Sequence, residues 1–192
     1  EANSFNAYHN IRVEQGDTLF LYGDSLFYNG NTRILKIRDN VRIENTTMVL
    51  LTDSLNYERD AELGYFFAGG TLLDEENTLT SDYGQFHTPT KMATFMKDVF
   101  LESEDYNLSS DTLLYNTDLH TAYFVSPTEI ISDETTIHTN NGNFNTDLKE
   151  AVLLNRSVII QKDGEQTMVG DSIIFNEAEG QAEAFGNVEI RN

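Results

Sequence analysis

The residues of this chain with the clearest chemical potential are six aspartate or asparagine side chains at regular intervals. They are Asp24, Asp53, Asp82, Asp111, Asn140 and Asp171. The interval is 29 residues four times and then 31. Hard cations such as Ca²⁺ take carboxylate oxygens, but a calcium loop brings several of them close together. Here one carboxylate recurs per repeat beside Ser or Thr, and Asn140 interrupts the series. The pattern therefore favours side chains that accept backbone N–H bonds at a bend over a row of metal ligands.

Catalytic chemistry finds little support in the sequence. The four histidines, His9, His87, His120 and His138, have no metal-ligand spacing and no nucleophile motif beside them. Cysteine is absent, which excludes thiolate catalysis and thiolate metal sites. Paired carboxylates are not diagnostic in a chain with 32 acidic residues. We expect a protein that is not an enzyme and that holds neither a cofactor nor a metal.

The charge balance narrows the choice of partners. Among 192 residues, 12 are basic and 32 are acidic, which gives a formal net charge of −20. Such a chain repels phosphate backbones, so nucleic acid is not an expected partner. The longest aliphatic run, Met48 to Leu51, is far shorter than the roughly 20 apolar residues of a membrane-spanning helix. We expect any targeting segment to precede Glu1.

Apolar residues stand at constant offsets from each recurrent Asp or Asn. Three residues before it lie Leu21, Leu50, Leu79, Leu108, Ile137 and Met168. Two and four residues after it lie positions such as Leu26 and Tyr28. Offsets of three before and two after differ by five, an odd number, whereas residues on one face of a flat strand are an even number apart. Each strand is therefore expected to bend or bulge at its centre, next to a small residue. These small residues are Gly23, Thr52, Ser81, Ser110, Thr139 and Gly170.

A return segment follows in every repeat and alternates apolar with polar residues. Its predicted inward positions are Leu35, Tyr65, Ala93, Ala122, Val152 and Ala182, followed two residues later by Ile37, Phe67, Phe95, Phe124, Leu154 and Ala184. Alternation of period two indicates strands, and polar turns such as 29–31 and 162–164 separate them. The sequence predicts an all-β, bent antiparallel two-sheet stack of about six repeats of 29 to 31 residues. It predicts thirteen strands in a single domain over residues 1–192.

Specific residues of the last repeat resemble a known family. They are the Gly-Asp-x-Ile-x-Phe pattern at 170–175, the alanine-rich return at 182–184, and Gly186-Asn187-Val188-Glu189-Ile190. Together they resemble the OstA/LptA family of periplasmic lipopolysaccharide-transport (organic solvent tolerance) proteins, and every other repeat carries a version of them. The resemblance implies a bent antiparallel β-jellyroll in the periplasm whose interior holds the acyl chains of lipopolysaccharide or a related lipid. It also implies ends that join head to tail with other transport-bridge proteins or with further copies.

Under this resemblance the inner apolar positions become the candidate acyl-contacting residues. They are Leu26, Tyr28, Ile37, Leu50, Leu55, Tyr57, Phe67, Phe86, Phe95, Leu113, Tyr115, Phe124, Phe144 and Phe175. Pockets and cores are lined by the same residue types, so a structural or adhesive repeat protein with a dry core stays open as an alternative. A third alternative, a carbohydrate-acting enzyme on a parallel β-helix, requires parallel strands and clustered catalytic acids.

A local basic cluster departs from the general acidity of the chain. It comprises Arg33, Lys36, Arg38 and Arg42. Lys36, Arg38 and Arg42 have the opposite parity to the inward Ile37 and Val41, so they are expected to point outward. They either balance nearby acidic residues on a solvated face or contact the anionic head group of the lipid.

The two ends of the stack offer terminal strands, predicted at 8–14 and 180–191. An edge strand exposes N–H and C=O groups that another strand can pair with, and neither segment contains proline. We expect these termini to mediate end-to-end association. An odd number of strands would make a simple translational join parallel, so the contact need not be a plain continuation of the sheet.

Overall fold

The computed structural model describes residues 3–15, 19–74, 77–161, 166–176 and 179–192. Within these ranges the chain forms strands and turns and no helix. The strands are β1 (Ser4–Gln15), β2 (Leu19–Asn29), β3 (Ile34–Glu44), β4 (Val49–Glu58), β5 (Leu63–Phe66), β6 (Gly70–Leu73), β7 (Asn77–Ser81), β8 (Tyr83–His87), β9 (Met92–Ser103), β10 (Tyr106–Asn116), β11 (Thr121–Phe124), β12 (Thr128–Ser132), β13 (Thr135–Thr139), β14 (Asn141–Asn145), β15 (Glu150–Gln161), β16 (Thr167–Asn176), β17 (Gln181–Phe185) and β18 (Glu189–Arg191). The turn predicted at 162–164 lies outside the described residues.

Five pairs of short strands are the two halves of one bent strand. They are β5 with β6, β7 with β8, β11 with β12, β13 with β14, and β17 with β18. Counted this way, the described residues form the thirteen bent strands that the sequence predicts. The two halves lie on opposite sides of the bend, and each side is here called one sheet: β4 pairs with β5 through Asn56–Glu58 and with β6 through Val49–Thr52, both antiparallel. The predicted all-β fold of bent antiparallel strands is therefore confirmed.

The bends coincide with one-residue bulges in the long return strands. Arg38 pairs with Ser54 and Val41 with Thr52, so β3 has one residue more than β4 at this point. The extra length is absorbed by Asp39 and Asn40, which have φ of 62° and 50°. Asparagine and aspartate tolerate this left-handed region better than other non-glycine residues. The same pair of left-handed residues recurs at 9–10, 97–98 and 155–156.

The chain divides into two compact units, Glu1–Phe95 and Met96–Asn192, with the boundary inside β9. In the first unit, Leu26, Ile37, Val41 and Leu55 form a buried cluster. In the second unit, Leu113, Phe124, Leu153 and Ile173 are 3% exposed or less. Both cores consist of aliphatic and aromatic side chains on alternate positions of neighbouring strands, as a two-sheet core requires. That residues 1–192 act as a single domain stays a prediction.

Candidate functional site

The row of inward side chains nearest the bend, here called the proximal row, is fully packed. In the first unit Leu26 lies opposite Ile37, which lies opposite Leu55. In the second unit Leu113 lies opposite Phe124, and Leu153 lies opposite Ile173. All of these side chains are 7% exposed or less. The proximal row is therefore dry core and offers no surface to a ligand.

The next inward row, two residues further from the bend, is called the distal row. Its residues are half-buried, except that Ala151 is buried and Phe86 is 36% exposed. In the first unit it runs through Tyr28, Leu35, Tyr57, Gly64 and Phe86, each opposite the next. In the second unit it runs through Tyr115, Ala122, Phe144, Ala151 and Phe175. Aromatic rings thus alternate with smaller residues across each unit. The distal row leaves accessible apolar surface on the inward side.

The other sheet of each unit supplies a matching aliphatic row. In the first unit it contains Leu21, Ile43, Leu50, Leu72 and Leu79, and in the second Leu108, Ile130, Ile137, Ile159 and Met168. Leu21 and Ile43 pack against the buried cluster of the first unit. In the second unit the ring centroids of Tyr106 and Phe144 are 6.4 Å apart in an edge-on arrangement. The two sheets of each unit therefore face each other through apolar side chains.

Most of the predicted interior residues lie on the inward face. Leu26, Ile37, Leu55, Phe95, Leu113 and Phe124 are buried, and Tyr28, Leu50, Tyr57, Tyr115, Phe144 and Phe175 are half-buried. Phe86 shares the inward face of β8 with buried Gly84, yet it is 36% exposed. Its cross-strand neighbour Gly64 has no side chain to cover the ring. Contact of these residues with lipid stays a prediction.

The prediction that Phe67 faces the interior is wrong. Phe67 is 49% exposed, whereas Phe66 is 3% exposed and takes the inward place. The buried positions of the return strands recur at Ile37, Phe66, Phe95, Phe124 and Leu153, an unbroken interval of 29 residues. Aligning the second and fifth repeats one residue too late placed Tyr65, Phe67, Val152 and Leu154 inside, whereas the inward positions are Gly64, Phe66, Ala151 and Leu153. The sequence did contain a signal for the correct residue, because counting 29 residues on from Ile37 leads to Phe66.

The ring of Phe66 fills a space that two glycines leave empty. A methyl group built on Gly84 would lie closer than 3.0 Å to Cε1 and Cζ of Phe66. One built on Gly70, in the other sheet, would lie 2.6 Å from Cε2 and Cζ. Gly84 stands where other repeats have Leu55 or Leu113. A single large ring therefore replaces two side chains at this point of the proximal row.

The four predicted head-group residues point outward, and two of them are paired with carboxylates. Nη1 of Arg33 lies 2.6 Å from Oδ1 of Asp60. Arg42 forms an ion pair with Glu44. Lys36 is exposed. Arg38 donates through Nη1 to the carbonyl oxygens of Ile37 and Leu55, at 2.7 and 2.8 Å. Head-group contact by these residues stays a prediction.

Three of the recurrent Asp side chains bond to asparagines at the bulges. Asp24 accepts a hydrogen bond from Nδ2 of Asn40 at 2.6 Å, and Asp171 accepts one from Nδ2 of Asn187 at 2.7 Å. Asp53 accepts from the backbone N–H of Asn40 at 3.4 Å. The predicted bonding to backbone N–H groups is thus found at Asp53, while Asp24 and Asp171 bind side-chain amides. No group of three His, Cys, Asp or Glu side chains suited to a metal is present in the described part of the chain.

Comparison with known proteins places the chain near one family. The family model described as OstA-like protein matches residues 1–111. Among solved structures, the chain is similar to LptH from Pseudomonas aeruginosa, the LptA homologous periplasmic component of the conserved lipopolysaccharide transport device. The identity is 12%, the TM-score is 0.55, and the match covers 60% of this chain and 94% of that one. No curated protein matches the chain significantly. Across the described residues, no helix is both long enough and apolar enough to span a membrane.

Proposed function

Because the chain belongs to the OstA-like family, we propose that it is a periplasmic component of lipopolysaccharide transport that holds acyl chains between its two sheets. The fold that it shares with the periplasmic LptH supports this proposal. Family membership also agrees with the sequence prediction that the chain is not an enzyme. The cargo, the compartment and the partners are the parts of the proposal that experiments must test.

The observation that carries the proposal is the contrast between the two inward rows. The proximal row is closed, while the aromatic residues of the distal row leave apolar surface exposed on the inward side. Of the aliphatic row, Leu79, Leu108, Ile137 and Ile159 are buried, and the other members are half-buried. Burying an acyl chain against such surface is favourable by about 0.8 kcal/mol per methylene group. A protein that needed only a dry core would gain nothing from leaving six aromatic rings half covered. We infer that acyl chains contact the distal row and not the proximal row.

The charge of −20 is compatible with a phosphorylated lipid only if the acids stay outside the apolar interior. The side chains of Asp24, Asp53, Asp82, Asp111 and Asp171 are all exposed. The proximal and distal rows contain no charged residue. We infer that the phosphate groups of the lipid stay outside the apolar interior, where divalent cations offset the repulsion between the phosphates and the acidic surface.

A matched pair of substitutions on β16 tests acyl binding. Phe175 is half-buried in the distal row, and its chain neighbour Ile174 is 41% exposed on the opposite face. Phe175→Asp places a carboxylate against the acyl chains and is expected to lower lipopolysaccharide affinity at least tenfold. Ile174→Asp adds the same charge to the outer face and should leave affinity near that of the parent. Binding is measured by displacement of a fluorescent lipid analogue, with circular dichroism melting to confirm the fold.

Two outcomes of this test would contradict the proposal. A parent protein that binds no lipopolysaccharide or other lipid would favour the dry-core structural alternative. Equal effects of Phe175→Asp and Ile174→Asp would show that general charge, not the distal row, controls binding. Phe95 and Phe124 are less suitable test positions, because both are 6% exposed or less. A carboxylate there would destabilise the fold itself.

The terminal strands are the proposed sites of end-to-end joining, with further copies or with other bridge proteins. β1 pairs with β2, and β17 and β18 pair with β16. Ile190 lies in β18 opposite Met168 of the inward aliphatic row and is 56% exposed. An inward lysine at a sheet edge discourages strand addition. Ile190→Lys is therefore expected to abolish concentration-dependent oligomers, whereas Ile131→Lys, at an exposed position of β12, is the control.

Sedimentation at two ionic strengths shows whether self-association depends on charge repulsion between copies. Copies with a net charge of −20 repel each other, so salt should strengthen association if the joint is made by strands and apolar residues. A strict monomer at high concentration and high salt would rule out self-association. Oligomers that are indifferent to Ile190→Lys would rule out the proposed C-terminal edge.

A further inference from the structure

The outer face of one sheet in the first unit has a composition unlike the rest of the chain. Strand register places Phe27 beside Lys36, Lys36 beside Asn56, Asn56 beside Tyr65, and Tyr65 beside Gln85. Each is adjacent in sequence to a buried inward residue, so all lie on the outward side. The surface formed by Tyr8, Phe27, Lys36, Arg38, Tyr65, Phe67, Tyr83 and Gln85, together with the buried Asn56 that Arg38 binds, is here called the outer aromatic face.

Its aromatic rings form two groups, one of Tyr65, Phe67 and Tyr83 and one of Tyr8 and Phe27. The rings of Tyr65 and Tyr83 stack with an interplanar angle of 24° and centroids 6.2 Å apart. Phe67 lies beside Tyr65 at 6.4 Å and is 49% exposed. Tyr8 and Phe27 form an edge-on pair at 5.8 Å. Large aromatic surface left open on a protein as polar as this one marks an interaction site.

Arg38 gives this face a positive charge that no carboxylate neutralises within the described residues. Its guanidinium donates to the carbonyl oxygens of Ile37 and Leu55 and to Oδ1 of Asn56, three neutral acceptors at 2.7 to 2.8 Å. Its Cζ lies 5.2 Å from the ring centroid of Phe67. Fixed by these bonds, the guanidinium loses little further entropy when it meets an anion.

The contrast with other cations of the first unit is informative. Arg12 also lies over an aromatic ring, that of Phe20, at 5.2 Å, but its Nη2 is 2.9 Å from Oε1 of Glu14. Arg33 and Arg42 are paired with Asp60 and Glu44. Next to the outer aromatic face, Glu58 accepts a hydrogen bond from the Tyr65 hydroxyl at 3.3 Å. In a chain of net charge −20, a face with Lys36 and an unneutralised Arg38 attracts anions locally.

We propose that the outer aromatic face binds an anionic saccharide. The π faces of aromatic rings carry partial negative charge, which attracts the polarised C–H bonds of a sugar ring stacked on them. Lys36 and Arg38 supply charge-assisted contacts to a sulfate, phosphate or carboxylate on that sugar. The amide of Gln85 and the hydroxyls of Tyr65 and Tyr83 can bond to sugar hydroxyl groups. This site is separate from the apolar interior and does not depend on the proposed lipid cargo.

The test uses three probes and two variants of the full chain. Isothermal titration calorimetry compares dextran sulfate, neutral dextran of the same length, and polyglutamate. Dextran sulfate is expected to bind although it has the same sign of charge as the protein, while the other two bind at least tenfold more weakly. Phe67→Ala removes an exposed stacking ring and Lys36→Gln an exposed charge, and each should lower the association constant for dextran sulfate by about fivefold. Thermal unfolding confirms that both variants are folded.

Phe20→Ala is the matched control, because Phe20 also lies under an arginine, but this arginine, Arg12, is already paired with Glu14. It should leave the affinity for dextran sulfate unchanged. Absence of dextran sulfate binding would overturn the proposal, as would equal binding of polyglutamate, which carries charge without sugar rings. Equal loss on Phe20→Ala and Phe67→Ala would overturn it as well. So would a result in which Phe67→Ala alters the sedimentation of the protein but not its binding of dextran sulfate.

Discussion

Replacing Gly84 by alanine tests whether the Phe66 ring occupies the space of a missing side chain. The new methyl group would lie closer than 3.0 Å to Cε1 and Cζ of Phe66. The ring cannot retreat, because Gly70 on the opposite side leaves room for no more than a hydrogen atom, with ring atoms 2.6 Å from its ideal Cβ position. Overpacking of this kind typically costs 1 to 3 kcal/mol, and the absence of an escape route places Gly84→Ala at about 2.5 kcal/mol.

A double-mutant cycle isolates the steric conflict. Phe66→Leu alone is expected to cost about 1.5 kcal/mol, since it leaves part of the space unfilled. In the combined variant the alanine methyl takes room that the ring vacated, so the total cost should also be about 1.5 kcal/mol. The coupling between the two positions is then about 2.5 kcal/mol in the favourable direction. The double variant would make this point resemble the preceding repeat, where Ile37 lies opposite Leu55.

Urea unfolding followed by circular dichroism measures these free energies, with an unchanged m-value as the condition for comparison. Gly64→Ala is the control in the neighbouring strand, because its methyl group would find Cδ2 of Tyr57 at an ordinary 3.7 Å. Its effect should stay within about 0.5 kcal/mol. Additive effects of Gly84→Ala and Phe66→Leu would refute the argument, because they would show that the methyl group and the ring do not compete for space.

Two further predictions concern the second unit. Gly142 has φ of +154°, and a methyl group there would lie closer than 3.0 Å to the carbonyl oxygen of Val152 and 3.1 Å from Cα of Leu153. Gly142→Ala should therefore lower the free energy of unfolding in urea by more than about 2 kcal/mol. Adding Leu153→Ala should not restore this loss, because the methyl group meets backbone atoms. A restored free energy of unfolding would contradict this account. Side-chain hydrogen bonds from Arg156 and, to a smaller extent, Arg191 hold the pKa of Glu189 below its ordinary value. Because the pKa is lower in the folded state, these bonds stabilise the fold above the unfolded-state pKa, and this stabilisation is lost as pH falls through the folded-state pKa. Arg156→Gln should therefore raise the midpoint of Glu189 in a carboxyl NMR titration. An unmoved midpoint would count against the pairing.

Local sequence patterns were sufficient for the strands and their bends. The odd offset between Leu21 and Leu26 requires a change of face inside β2, and the structure provides it. Alternation along Leu35 and Ile37 likewise predicts the return strand correctly. These features depend on residues close in sequence, which is why one repeat suffices to predict them and six repeats reinforce the prediction.

The position of Phe67 shows where local patterns were insufficient. Phe66 and Phe67 are equally apolar, so alternation alone cannot say which of them turns inward. The answer depends on register: Phe66 lies opposite Gly84, and the space above glycine accepts a ring. Phe67 is left outside, where it lies under Arg38. A slip of one residue thus moves an aromatic ring from a lipid-facing candidate to an outer binding surface.

By itself, the sequence determined the all-β class, the repeat interval, the antiparallel bent strands and the apolar character of the interior, because each follows from the spacing of residue types along the chain. Only the tertiary structure decided which inward row is closed and which is accessible, since exposure depends on the distance of a row from the bend and on cross-strand neighbours such as Gly64 opposite Phe86. It alone also decided that Arg38 bonds to neutral oxygens while Arg42 pairs with Glu44. Side-chain contacts of this kind arise between strands, and their geometry is set by register and twist and not by composition.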